Sequence, residues 1–569
     1  MEAQVHSFAA GSPLLRLQAS IRRLARFRSD VLVVGSGAAG LAAAIEAADS
    51  GAHVIVLCKG GVDDTNTRFA QGGIAASVGR DDSPDFHAAD TVKVGYGLCD
   101  PGVVDELTGR AGDTVDWLLK MGTQFDCHAD GSLSLGREGG HRVARILHSH
   151  GTATGLELQR ALHARARSHP NIDLIPRATA IELLKDAEGR VCGLVSFLHR
   201  NGDSHAEVVI FQAGAVAFAT GGGGQIFRET TNPQLATGDG LAMALRAGAT
   251  LRDLEFVQFH PTILYLAGAA RFLISEVTRG AGAVLKDRSG NAFMQEAHPD
   301  AELAPRDVVS RAIFRRMVDT GDTHVYLDFS AVADPQQQFP ALAKIAREFG
   351  MELEKDAIPV RPAVHYLVGG IQTDMHGQTS IPGLWATGEC ASTGFHGANR
   401  MGSNSLLEGL VHGRMVGQAI SQTSFGPERR FLFSQATSPL KSTGAELNLL
   451  DMTYSLKSLM WRQVGIERSE AGLSEALERL HLWNGYLSRL GPFTPGAVEV
   501  VNMVQVGAAI AHSALFRRES RGAHFRTDYA ATTGNWQCHT LLDSQAGSLH
   551  VRASAPVLSQ PQAVPLAGD

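Results

Sequence analysis

Apolar residues crowd into Val31-Leu-Val-Val34, directly after Asp30 and ahead of Gly35-Ser-Gly37-Ala-Ala-Gly40. That pattern reads as a strand entering a glycine-rich turn, and the alanine-rich run to about Ser50 reads as the helix after it. Val54-Ile-Val-Leu57 closes a β-α-β unit of about 30 residues with GxGxxG at its first corner. Ile172–Ile175 and Ala215–Ala219 predict further buried strands, the second running into Gly221–Gly224. Residues 255–365 alternate short strands, such as Val325-Tyr-Leu-Asp-Phe329, with helices, and read as an inserted unit. Strand-and-turn chemistry returns at Gly383-Leu-Trp-Ala-Thr-Gly-Glu389, and a polar, proline-containing stretch at about 423–442 reads as a linker. Beyond it, Leu456, Leu459, Met460 and Val464, then Leu473, Leu477 and Leu480, recur on single helical faces. The stretch after about 545 is mixed and reads as a disordered tail, and no internal repeat is visible.

The length of 569 residues suits several domains rather than one. A hydrophobic share of 44% is that of a packed core, and a net charge of −7 argues against a dominant nucleic-acid or anionic-membrane role. No run reaches the roughly 18 apolar residues of a membrane span; Val31–Ile45 is the longest candidate, and Gly35, Gly37 and Gly40 interrupt it. The six cysteines form no CxxC pair, so a zinc cage, an iron–sulfur set and a secreted disulfide scaffold are not expected, and a reducing cytoplasmic home fits. Residues 1–29 carry Arg16, Arg22, Arg23, Arg26 and Arg28 against one acid, Glu2. They read as a frayed basic arm, with an organellar transit peptide as the alternative. The 62 glycines exceed the usual share, and such an excess marks places where backbone approaches something closely.

Between a strand and a helix, the GxGxxG turn predicts a pyrophosphate site: Gly35 for the tight turn, Gly37 for close backbone approach, Gly40 for helix–strand contact. The acidic residue that usually grips a ribose hydroxyl is replaced by Cys58-Lys59-Gly60, which weakens a simple NAD reading. An Ala-Thr-Gly signature occurs twice, at Ala219-Thr-Gly221 and Ala386-Thr-Gly388-Glu389. Two more backbone approaches, so far apart, suit a long ligand such as FAD, with Glu389 accepting from its ribityl or ribose hydroxyls.

Four longer stretches are more specific: Thr67-Arg-Phe-Ala-Gln-Gly-Gly-Ile-Ala-Ala76, Phe256-Val-Gln-Phe-His-Pro-Thr262, Leu303-Ala-Pro-Arg-Asp307 and His396-Gly-Ala-Asn-Arg-Met-Gly-Ser-Asn-Ser-Leu-Leu407. Over about residues 30–540 the chain resembles the succinate dehydrogenase/fumarate reductase flavoprotein superfamily. Arg137-Glu-Gly-Gly-His141 and Glu519-Ser-Arg-Gly-Ala-His-Phe525 resemble its L-aspartate oxidase branch. The resemblance implies an α/β plus α fold. A Rossmann-like FAD-binding domain (30–253 and 367–436) is interrupted by an α+β capping domain (254–366) and followed by a C-terminal helical bundle (437–545), with an arm at 1–29 and a tail at 546–569. The cofactor set expected is Gly35, Ser36, Gly37, Ala38, Ala39, Gly40, Lys59, Asn66, Thr67, Arg68, Phe69, Ala70, Gln71, Gly72, Gly73, Thr179, Ala180, Thr220, Gly221, Asp239, Glu389, Ser405 and Leu406. Ser405 and Leu406 open a helix whose N–H groups can face the flavin C2 carbonyl and N1, although a plain helix cap explains the same serines. Members that attach FAD covalently do so through a His five residues before Gln-Gly-Gly; here that position is Asn66 and no His occurs from 54 to 86, so FAD is expected to be non-covalent.

The resemblance also implies a dicarboxylate site. Arg400, His260 and His365 are the expected clamps, helped by Ser275 and Glu276, and Arg306 matches a proton-shuttling arginine or else serves as one more clamp. Glu138 stands where succinate and fumarate enzymes carry Phe, and a carboxylate there suits the α-ammonium of an amino acid. The expected chemistry is oxidation of L-aspartate to iminoaspartate, handed to quinolinate synthase as the first step of NAD synthesis. Reoxidation would be by O₂, giving H₂O₂, or by fumarate, giving succinate. No metal, nucleic-acid or membrane partner is expected, and the oligomeric state is open, a monomer included. A soluble fumarate reductase is the rival, and a non-catalytic flavoprotein that binds a partner through Arg517-Arg-Glu-Ser-Arg521 is the more distant one. Ser275, Ala281 and Ala530 depart from the family's Thr, Glu and Pro. His141, His148 and His150 suggest a metal, but no carboxylate or Cys cluster completes the set.

Overall fold

The computed structural model describes residues 4–7, 24–199, 206–266, 268, 272–423, 431–432, 447–488, 494–545 and 547–557. Within the FAD-binding part, β1 (Ala25–Val34), α1 (Ala38–Asp49) and β2 (Val54–Leu57) form the β-α-β unit that the apolar pattern predicts. Strand β1 begins five residues before Asp30 and pairs along its whole length with β6, so Arg26 and Arg28 belong to the central sheet rather than to a frayed arm. The other arginines of the basic arm, Arg16, Arg22 and Arg23, lie outside the described residues. Strand β3 (Ile172–Ile175) extends the parallel edge beside β2. Strands β4 (Ala178–Asp186), β5 (Val191–Leu198) and β6 (Glu207–Phe218) form an antiparallel meander. Their order is β4-β5-β6-β1-β2-β3, with Phe431–Leu432 pairing outside β4. The rest of the linker at 423–442 lies almost wholly outside the described residues.

Helix α2 (Asp239–Ala247) leads toward the cap, whose sheet has the order β7 (Val257–Leu264), β10, β9, β8. Strand β8 spans Val284–Lys286, helix α3 Arg306–Thr320, β9 Val325–Asp328 and β10 Ile358–Leu367. The cap has a hydrophobic core of its own, including Leu285, Val309, Ile313, Leu327 and Ile358. The chain then returns to the central sheet through β11 (Leu384–Ala386), parallel to β6, and α4 (Asn404–Ser421), which packs on α1.

The C-terminal part holds α5 (Leu449–Gln463), α6 (Glu470–Leu487) and α7 (Pro495–Phe516). The predicted faces Leu456, Leu459, Met460 and Leu473, Leu477, Leu480 are buried. Helix α7 is long and apolar enough, by length and composition, to cross a membrane, and 89% of its most apolar window is buried inside the fold. In the sequence its apolar run is interrupted by Glu499, Asn502, Gln505 and His512. Residues 547–557, expected to belong to a disordered tail, are structured instead. Strands β12 (Cys538–Gln545) and β13 (Ser548–Pro556) form an antiparallel hairpin, and Gln4–Ser7 pairs with β13.

Candidate active site and cofactor cleft

A cavity of about 1150 Å³ runs from the C-terminal end of β2 and the start of β4 past the β1–α1 turn to the cap. At the turn, Gly35 has φ +116, and a Cβ there would sit 2.1 Å from the carbonyl oxygen of Ala219, so only glycine fits. Gly40 touches the Gly35 carbonyl, where a Cβ would lie 2.0 Å away, and this brings α1 onto the turn. The Ala38 amide donates to Thr67 Oγ1 at 3.0 Å, so residue 67 braces the start of the helix. Of the expected cofactor set, Gly35 to Ala39, Lys59, Asn66, Thr67, Phe69 to Gln71, Ala180, Thr220, Gly221, Asp239, Glu389, Ser405 and Leu406 line the cavity. Gly40, Arg68, Gly72, Gly73 and Thr179 do not. Gly40 is spent on packing, Gly73 lies against the Leu147 carbonyl, Gly72 faces Glu138 and Ser403, the Thr179 carbonyl takes the Ser196 hydroxyl, and Arg68 is exposed.

The cavity suits FAD in its chemistry. Asn66 Oδ1 is buried with no hydrogen-bond partner, while its Nδ2 donates to Glu389 Oε2 at 3.2 Å. Burial pushes the Glu389 carboxyl up to about 7, although the Leu367 amide, Asn66 and Arg400 favour its charged form. Such groups, facing a cleft, wait for the hydroxyls of a ligand. Lys59 is spoken for by the protein, donating to Thr237 Oγ1 at 2.6 Å and pairing with Asp239 at 2.8 Å and Glu499 at 2.7 Å.

At the cap end, the expected catalytic residues converge. Arg306, at the start of α3, donates from Nε to Glu276 Oε2 at 3.0 Å, and Arg279 lies 3.7 Å from the same oxygen. Burial would raise the Glu276 carboxyl, but Arg306 and Arg279 outweigh it and hold the group below its ordinary range. His260 on β7 and His365 on β10 stand edge to face, ring centroids 5.5 Å apart. Burial, then the neighbouring arginines, drives both well below the ordinary histidine range, so both are neutral. The Thr262 amide donates to His260 Nδ1 at 3.3 Å, which leaves Nε2 as the N–H donor of that ring. His365 Nδ1 meets the Thr231 hydroxyl at 3.0 Å. The β7–β10 register slips on either side of Phe259-His260, the kind of bulge that re-aims side chains beside active sites.

Arg400 lies over the Tyr366 ring at 4.9 Å and donates from Nη1 to Ser405 Oγ at 3.0 Å. Its Nε and Nη2 both reach Gln258 Oε1, at 3.2 and 3.0 Å. Burial and the Arg306 charge bring Arg400 down to about 10, still protonated at neutral pH. Glu138 is buried and accepts from Ser403 Oγ at 2.8 Å. A Cβ on Gly402 would lie 2.6 Å from Glu138 Oε2 and 3.4 Å from Arg306 Nη2, so this glycine leaves room where both meet. Ser403 is in the left-handed region, φ +59, and its hydroxyl serves Glu138 instead of capping α4, which sets aside the plain helix-cap explanation at this residue. Ser275 is half-buried at the rim of this cluster, its hydroxyl 3.4 Å from the Val277 amide.

Reading the sequence missed Gln258, Arg279 and Ser403. Gln258 stands two residues before His260 in a strand and Arg279 three after Glu276 in a helical turn, spacings that share a face. Nothing local points to Ser403. Among the described residues no group of three or more His, Cys, Asp or Glu side chains is arranged to hold a metal, and His141 Nε2 meets the Gly402 carbonyl at 3.1 Å instead. Arg517, Glu519, Ser520 and Arg521 are buried, so the run proposed as a partner-binding surface is interior.

An FAD cleft closed by a cap that brings two neutral histidines and three arginines to its flavin end defines an FAD-dependent oxidoreductase of the succinate dehydrogenase/fumarate reductase flavoprotein class. Residues 30–406 match the FAD binding domain family and 494–565 the fumarate reductase flavoprotein C-term family. A quinol-fumarate reductase solved with menaquinol molecules superposes with TM-score 0.86 at 31% identity, over 95% of this chain and 100% of that one. Mycobacterium smegmatis Sdh1 in complex with UQ1 gives 0.83 at 33%, over 95% and 96%. Among curated proteins, the L-aspartate oxidase of Streptomyces coelicolor is 41% identical over 531 residues, 90% of this chain and 91% of that protein. The L-aspartate oxidase of Yersinia pestis is 39% identical over 514 residues, 88% and 96% of the two. The chain belongs to the L-aspartate oxidase family.

Proposed function

We propose that this enzyme oxidises L-aspartate to iminoaspartate with non-covalent FAD, passing the electrons to O₂ or to fumarate, and that the product feeds quinolinate synthase at the start of NAD synthesis. The observation that carries the substrate reading is the position of Glu138 beside Arg306 and Gly402. Two buried guanidinium groups, Arg279 and Arg400, and the partly buried Arg306 stand with two carboxylates, Glu138 and Glu276. By formal charge the cluster holds one positive charge in excess. L-Aspartate, with two carboxylates and one ammonium, balances it, whereas succinate overshoots. A buried charge left unbalanced is costly, so this arithmetic favours the amino acid.

FAD, when bound, supplies the acceptor for the Cα hydride. The chain's own residues do the rest. Arg400, with the Nε2–H of His260 and the ring of His365, binds and orients the substrate carboxylates. Glu138 takes the α-ammonium and holds the proton lost as the amine becomes an imine. Arg306 and Glu276, joined by a hydrogen bond, carry the proton for the fumarate direction, and Arg279 keeps Glu276 charged. The cap excludes water from all of them. Non-covalent attachment is supported by Asn66 at the position of the linking histidine.

Anaerobic addition of L-aspartate to the holoenzyme is expected to bleach the flavin absorbance near 450 nm, on the order of one FAD per chain. A flavin that stays oxidised under aspartate, yet turns over fumarate with a reduced dye, would favour the fumarate reductase reading. Acid precipitation should release all FAD to the supernatant; yellow colour in the pellet would refute non-covalent binding.

A further inference from the structure

The residue that ordinarily grips ribose after β2 is missing, and Lys59 stands in its region. Lys59 and Asp239 line the cofactor cavity, yet the lysine is held from the opposite side by a different part of the chain. Its ammonium has three protons and three close side-chain acceptors: Thr237 Oγ1 at 2.6 Å, Asp239 Oδ2 at 2.8 Å and Glu499 Oε1 at 2.7 Å. Glu499 belongs to α7 of the C-terminal helical part and does not itself line the cavity. Burial works against the Lys59 charge, but Asp239 and Glu499 together raise it above the ordinary lysine range.

Helix α7 is largely apolar and buried, with His512 and Ser513 near its C-terminal end, and the polar residues of its first half are not scattered. Glu499, Asn502 and Gln505 recur every third residue on one side. Asn502 and Gln505 are fully buried. Asn502 Nδ2 donates to Asp239 Oδ1 at 2.8 Å. Arg246 of α2 donates to Asn502 Oδ1 at 2.8 Å and to Gln505 Oε1 at 2.7 Å. Amides buried in a helix core are costly unless paired, and Lys59, Asp239 and Arg246, which this stripe meets, belong to the cofactor-binding part.

We propose that Glu499 is a positioning residue for the adenosine end of FAD: the C-terminal helix holds Lys59 through Glu499, so that Asp239 is presented to the cofactor as a fixed carboxylate acceptor. The missing acidic residue is thereby replaced by a carboxylate brought from α2 and locked by α7. Loss of Glu499 removes the charged partner on the α7 side and leaves Lys59 to Thr237, Asp239 and the Leu235 carbonyl at 3.2 Å, so the lysine loses its tie to the C-terminal helix. The inference rests on FAD as cofactor and is independent of the aspartate reading.

FAD titration into the stripped full-length enzyme, followed by flavin fluorescence without substrate, reads the effect directly. Glu499→Gln is expected to raise the FAD dissociation constant about tenfold or more, the scale of losing one charged hydrogen bond. Glu499→Asp should recover part of the affinity. The KM for aspartate at saturating FAD should stay within about twofold of the parent, because the effect lies at the other end of the cleft. A double-mutant cycle separates positioning from general destabilisation. In a Lys59→Met background, Glu499→Gln should cost little further affinity. An FAD dissociation constant unchanged in Glu499→Gln, or an equal loss in both backgrounds, overturns the proposal.

Discussion

Glu138 shows how much one side chain carries. Its carboxylate is fixed by the Ser403 hydroxyl and, like Arg306, lies against Gly402. Glu138→Gln keeps the shape and removes the charge, and is expected to lower kcat/KM for aspartate about 100-fold while fumarate reduction by a reduced dye changes less than about threefold. Equal losses in both assays would remove its amine-binding role. Glu389 makes a pH prediction. Its folded carboxyl titrates near 7 against an ordinary 4.5, so between those values the folded protein holds a proton that the unfolded chain releases. The associated stability is present in full below about pH 4.5 and is lost as pH rises through about 7, on the order of 3 kcal/mol. Thermal melts of the FAD-free enzyme should therefore fall from pH 5 to pH 8, and Glu389→Gln should flatten the fall. Asp307, raised by burial to about 6, leaves a smaller slope of the same sign. At this scale the sequence was legible where a residue sits in a motif, as His260, Arg306 and Arg400 do. It was opaque for Ser403, whose role comes from a partner 265 positions away.

Among the elements, α1 and α4 are built for close approach. A Cβ on Gly413 would lie 2.6 Å from the Ala39 carbonyl oxygen, at the helix start that faces the cofactor. Gly413→Val should push α4 off α1, costing on the order of 2–3 kcal/mol and weakening FAD retention. Chemical denaturation and flavin release on gel filtration would register both, and an unchanged midpoint would count against the packing argument. Helix periodicity exposed the inner faces of α5 and α6, because amphipathic helices write their buried side every three or four residues. Helix α7 escaped that reading since both faces are buried and its polar stripe serves the cofactor wall. The β12–β13 hairpin was hidden for another reason: its stability comes from pairing with Leu251-Arg252 and Gln4–Ser7, contacts that no local pattern contains.

Across the whole molecule, the cap is anchored through buried charge at its hinge. Asp253 and Glu255 precede β7, and Arg517, at the end of α7, reaches Glu255 Oε1 at 2.6 Å and Glu519 Oε1 at 3.0 Å. Arg468 donates to the Glu255 carbonyl, and Phe525 lies between Arg311 and Arg315 of α3, at 4.7 and 5.0 Å. The C-terminal motif thus holds both the hinge and the helix bearing Arg306. Arg517→Met should destabilise the protein by on the order of 3–5 kcal/mol, because Glu255 is left as a buried carboxylate without its partner. Phe525→Ala should loosen α3 instead, lowering kcat several-fold with little change in FAD affinity. By itself the sequence determined the β-α-β nucleotide unit and the FAD-binding fold, since these depend on short motifs whose glycines act on nearby backbone. Tertiary structure alone decided that Glu138 and Arg306 both approach Gly402, that the 517–526 motif is an interior brace, and that a C-terminal helix reaches Lys59 at the cavity wall. Those are meetings of buried charges from distant segments. Their energies depend on burial and distance, which no spacing along the chain encodes.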